Sequence, residues 1–72
     1  MNYVPKIIFN QKIVTSFIAS NNLSEADFCK LCNIPLLDLT KFINNDTSLS
    51  IFSILKMAEA MHIDLSKLFK QI

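Results

Sequence analysis

Seventy-two residues make one domain, near the lower limit at which a single apolar core holds a fold without metal or crosslinks. Hydrophobic residues supply 51% of the chain and glycine is absent, a balance that excludes a disordered polymer and leaves helix propensity undiluted. A formal charge of +1 falls well short of the basic balance of a dedicated nucleic-acid binder, and by itself neither establishes nor excludes DNA.

The apolar runs are too short to cross a bilayer, and Met1 to Phe9 has neither the basic start nor the sustained apolar centre of a signal peptide. No membrane is expected, and the expected location is cytoplasmic. Pro5 argues against a helix at the N-terminus, so residues 1–9 read as an arm and residues 10–72 as the domain. Behind a candidate cap at Asn10, the helical spacing of Ile13, Val14, Phe17 and Ile18 predicts a first helix from Gln11 to Ser20. Ser24, followed three residues later by Asp27, resembles a capping box with a shortened acid and opens a second helix. Its inward face carries Phe28, Cys29 and Cys32, and it stops at Asn33, a residue that tolerates the left-handed backbone.

Pro35 suits the start of a third helix, because its missing donor costs nothing there, and Leu39 with Phe42 gives the inward step of a segment from Leu36 to Asn44. The polar run from Asn44 to Ser48 is a loop. Ser50 then caps a fourth helix with Ile51, Ile54, Leu55, Ala58 and Met61 along one face, ending near His62. Asp64 to Phe69 reads as a short fifth helix with Leu65, Leu68 and Phe69 inward. The predicted fold is therefore an all-α, compact bundle of about five helices. Its core is expected to hold Val14, Phe17, Phe28, Cys29, Ile34, Leu39, Phe42, Ile51, Leu55, Ala58 and Leu68.

Cys29 and Cys32 form a CxxC, but no second cysteine pair exists and the single histidine, His62, lies far away in sequence. Two ligands do not close a tetrahedral site, so packing is the expected role and neither metal nor cofactor is expected. No paired carboxylates, Ser-His or Cys-His arrangement or phosphate-cradling glycine loop can be assembled, which argues against an enzyme.

The order of these signals carries more than any one of them. Leu23-Ser24 precedes the second helix, Cys29 sits within it, Asn33-Ile34 follows, and Leu39 lies in the third helix. Asn44-Asn45, Leu49-Ser50-Ile51 and the run Leu55-Lys56-Met57-Ala58-Glu59-Ala60-Met61-His62-Ile63 come next. Over about residues 10 to 69 this pattern resembles the lambda-repressor-like, Cro/XRE-type helix-turn-helix family of DNA-binding domains. Three positions where that family usually has glycine carry Asn33, Asn45 and His62, residue types that enter the left-handed region cheaply.

The resemblance implies a transcriptional regulator whose third helix lies in the major groove of duplex DNA, with two copies forming a dimer. Carried over position by position, it places Leu36, Leu37, Thr40 and Lys41 at base edges and Ser24, Glu25, Asn44, Thr47 and Ser48 near the phosphate backbone. Leucines meet thymine methyl groups and a lysine reaches guanine O6 and N7, so an apolar recognition helix still reads sequence. Glu25 and Asp38 oppose phosphate, although acids in a first turn also favour the helix dipole. The lysines are spread along the chain and read as ordinary solvated charges, Lys41 excepted. Phe52 and the apolar end from Leu68 to Ile72 suggest the dimer surface. The alternative is an interaction module on the same scaffold, such as an antitoxin, antirepressor or regulator-binding protein. It would bind a protein partner through Leu31, Leu36, Leu37, Phe52 and Ile43, expected to project from the core.

Overall fold

In the computed structural model, which describes residues 6–70, the chain forms helices α1 (Gln11–Ser20), α2 (Glu25–Cys32), α3 (Leu36–Ile43) and α4 (Ile51–Met61). A 3₁₀ turn at Leu65–Leu68 stands where a fifth helix was expected, so the described residues contain four α-helices. Asp64 caps its start, its carboxylate accepting from both the amide and the hydroxyl of Ser66, and the turn stops short because Phe69 goes extended to pair with Phe9. Among the described residues no strand forms, and the one isolated bridge pairs Phe9 with Phe69 antiparallel.

The helix starts follow the side chains that satisfy their first amides. Ser24 and Asp27 form the complete capping box on α2, and Ser50 accepts from Phe52 N at the start of α4. Asn10 departs from expectation, because its carboxamide caps nothing on α1 and instead donates to Lys67 O at 3.2 Å.

The helix ends share one solution. Asn22, Asn33, Asn45 and His62 each take a positive φ of 54° to 58°. Around each, the next amide reaches back five residues to a helix carbonyl, as in Ile34 N to Cys29 O at 3.0 Å and Ile63 N to Ala58 O at 3.1 Å. A chain without glycine thus closes four helices on three asparagines and a histidine, the residue types that occupy this region at least cost.

One core joins the elements. Phe9, Val14, Phe28, Leu39, Phe42, Met57 and Leu68 are almost fully enclosed, with Cys29, Cys32, Ile34, Leu49, Ile54, Ala58 and Met61 around them. Phe17 is half-buried, packing on this core and meeting the Phe28 ring edge-on at 5.9 Å. Two expected members are excluded: Ile51 is 47% exposed and Leu55 36%. Helix α4 is apolar on nearly every side, so periodicity alone does not fix its rotation. Ser53 does, by turning inward to donate its hydroxyl to the Asp38 carboxylate, which brings Ile54, Met57, Ala58 and Met61 to the core.

Phe9, like Leu49, is a core residue outside the helices that helical spacing does not signal. It stacks on Phe42 with ring centroids 4.9 Å apart and meets Phe69 at 5.8 Å. Asn10 N donates to Leu68 O and Lys70 N to Ile8 O, each at 2.8 Å, so the two terminal segments lie side by side.

Candidate nucleic-acid interface

Helix α3 is placed by its two apolar anchors and one polar link. Leu39 and Phe42 enter the core, and Asp38, half-buried, accepts from Ser53 on α4. The opposite side is thereby forced outward: Leu36 is 51% and Leu37 63% exposed, and Thr40 is exposed. The turn from α2 is short because Asn33 reverses the chain in the left-handed region and Pro35, at the N-cap of α3, resumes an extended backbone.

The predicted site residues are only partly brought together. Glu25, Thr40 and Asn44 share one recess of about 160 Å³ with Leu39 and Ile43. Leu36 borders an open groove of about 470 Å³ with Ala26, Lys30 and Pro35. Thr47 lies elsewhere, on an apolar recess of about 170 Å³ with Ile7, Ile51 and Phe69. Lys41 is half-buried, whereas Ser24, Leu37 and Ser48 are exposed.

Several of the polar groups are already engaged. The Thr40 hydroxyl donates to Leu36 O at 3.2 Å, and Ser24 Oγ accepts from Asp27 N at 3.0 Å. Ser48 donates both its hydroxyl, at 2.7 Å, and its amide, at 3.0 Å, to Asp46 Oδ1. Those two bonds hold the Asp46 carboxyl below its ordinary range, and the nearby Lys41 ammonium adds to the effect. The one lysine placed at the bases therefore already has an anionic neighbour.

Position 45 adds a contact that its backbone role does not announce. The Asn45 carboxamide accepts from Phe9 N at 2.6 Å and donates to Ile7 O at 3.1 Å, pairing with the segment as a neighbouring peptide would. The loop after α3 is thus fastened to the N-terminal segment. A polar side chain at a left-handed position was the available signal, but its partner 36 to 38 residues away was not.

Exposed apolar side chains extend beyond α3. Phe52 is 70% exposed, and Leu31 projects as expected, whereas Ile43 is half-buried. Ile51, Leu55 and Ile7 join the exposed set. The expected apolar C-terminal end changes character: Leu68 is fully buried and Phe69 half-buried, while Gln71 and Ile72 lie outside the described residues.

Both cysteines are free and buried. Burial pushes the Cys32 thiol up to about 11, with Cys29 adding to the shift, and burial followed by Glu25 and Asp38 raises Cys29. Neutral thiols of this kind are poor nucleophiles and poor metal ligands. Among the described residues no group of three or more His, Cys, Asp or Glu side chains is placed to hold a metal, and no helix is long and apolar enough to cross a membrane.

The chain matches no family model, and searches of curated proteins and of solved structures return no match.

Proposed function

We propose that this chain is a helix-turn-helix regulator that binds duplex DNA through α3 and acts as a two-fold dimer. The observation that carries the reading is the two-sidedness of α3: Leu39 and Phe42 anchor it while Leu36, Leu37 and Thr40 form an exposed outer face beside a tight, left-handed turn. Leu36 and Leu37 would meet thymine methyl groups, Thr40 and Lys41 would bond base edges, and Ser24, Glu25, Asn44, Thr47 and Ser48 would flank the backbone. Ile51, Phe52 and Leu55 are neighbours on the α4 surface and supply an apolar patch for a second copy. Such a dimer would place two α3 helices about 34 Å apart and favour a roughly palindromic site.

Exposed leucines on α3 favour a second reading, in which the same face grips a protein partner and DNA binding is slight. Fluorescence anisotropy with duplex DNA separates the two. Under the DNA reading, Leu36→Glu and Leu37→Glu each abolish binding by placing a carboxylate against phosphate, and sedimentation shows Phe52→Ser shifting dimer toward monomer. Wild-type protein that leaves low-salt DNA free would favour the partner reading.

A further inference from the structure

Four lysines, Lys6, Lys12, Lys67 and Lys70, belong to opposite ends of the sequence, yet the fold joins those ends. The Lys70 amide donates to Ile8 O at 2.8 Å, and the Lys67 carbonyl accepts from Asn10 Nδ2 at 3.2 Å. Lys12 follows in the first turn of α1, which packs against the 3₁₀ turn carrying Lys67. All four side chains are exposed.

The carboxylates are distributed the other way. Asp64, which caps the 3₁₀ turn, is the acid in this terminal part, whereas Glu25, Asp27, Asp38, Asp46 and Glu59 sit on α2, α3, the following loop and α4. Four lysines to one carboxylate thus stand against three lysines to five carboxylates in the rest of the molecule. A net charge of +1 conceals this polarity.

The Lys6 end of the basic part also adjoins the proposed interface. Asn45 holds Ile7 and Phe9, and Ile7 shares a recess with Thr47, so Lys6 emerges beside the loop that bears Asn44, Thr47 and Ser48.

We infer that the paired terminal segments, through Lys6, Lys12, Lys67 and Lys70, hold the phosphate backbone of duplex DNA while α3 reads the bases. The inference rests on the DNA-binding reading. Lysine suits the task because a flexible point charge follows phosphates without demanding a fixed geometry. Each neutralised phosphate contributes about −0.9 to the slope of log affinity against log salt, so the contacts can be counted.

The test is a salt series by fluorescence anisotropy with random duplex DNA, on the full chain. The variant Lys6→Gln/Lys12→Gln/Lys67→Gln/Lys70→Gln is expected to flatten the slope by about 2 to 4, the double variant Lys6→Gln/Lys70→Gln by about half of that, and Lys56→Gln not at all. Because the changes are on exposed side chains, thermal melts of the variants should match wild type, and the double variant serves if the quadruple one is less stable. If terminal variants keep the wild-type slope while Lys41→Gln flattens it, the phosphates are held at α3 and the inference is overturned with DNA binding intact. If wild-type protein binds heparin but no duplex DNA, both the inference and the reading beneath it are overturned.

Discussion

The outer face of α3 and the paired terminal segments divide between them two properties that a nucleic-acid surface needs. The first has shape: a short helix lifted outward on Leu39 and Phe42, with apolar side chains at its start and carboxylates at Glu25 and Asp38 nearby. The second has charge: four exposed lysines on segments pinned by main-chain bonds and by Phe9. On the proposed reading, specific contact and electrostatic attraction do not share a helix: the apolar face of α3 would meet the bases while cations on another element meet phosphate.

Both surfaces depend on terminal segments that are firmly attached to the core. Phe9→Ala should cost about 3 to 5 kcal/mol in urea unfolding and Leu39→Ala about 2 to 5, because both side chains are enclosed in the same core. Near-wild-type stability of Phe9→Ala, with Leu39→Ala strongly destabilised, would detach the terminal segments from the domain. On the binding side, Lys41→Ala should weaken a specific site by about 1 to 3 kcal/mol if the lysine reads guanine, and should mainly flatten the salt dependence if it touches phosphate.

What was legible in the sequence is what neighbours in sequence decide. Ser24 and Asp27 cap α2, Asn33, Asn45 and His62 reverse the chain, and Leu39 and Phe42 face inward, each within a few residues of the signal that announces it. The rotation of α4 was not legible, since a helix apolar all round has two plausible inner faces and the choice rests on Ser53 meeting Asp38 15 residues away. Phe9 was missed because an extended segment beside a proline has no helical period to betray its burial. The charge polarity was hidden because the segments that carry Lys6 and Lys70 are joined only by bonds between distant parts of the sequence. Of the candidate site, the outward turn of Leu36 and Leu37 was implied by the family resemblance, whereas Thr47 lies on a separate recess from Glu25, Thr40 and Asn44.

His62 and Asn45 separate a local role from a distant one. Both occupy the same left-handed geometry, yet only Asn45 is fastened to the terminal segment through its side chain. His62→Gly should therefore stabilise by about 0.5 to 1 kcal/mol by relieving the backbone. Asn45→Gly should destabilise by about 1 kcal/mol, the loss of its two hydrogen bonds outweighing that relief. Equal signs for the two substitutions in parallel unfolding experiments would deny Asn45 its role as a clamp.

The smallest effect is in pH. The native Cys32 thiol keeps its proton up to about 11, against 9.0 for the ordinary thiol, so its contribution is complete below pH 9.0 and is lost as pH rises toward 11. Cys32→Val should make the fall in unfolding midpoint over that window shallower. An unchanged pH profile would contradict a buried, neutral thiol.

Amide chemical-shift mapping during titration with a short duplex tests the division of labour most directly. The largest shifts are predicted at Leu36 to Lys41, with a second set at Lys6 to Ile8, Lys12 and Lys67 to Lys70 that disappears first as salt is raised. Shifts confined to Ile51, Phe52 and Leu55, or no shifts at all at low salt, would contradict DNA binding through α3 and the terminal lysines.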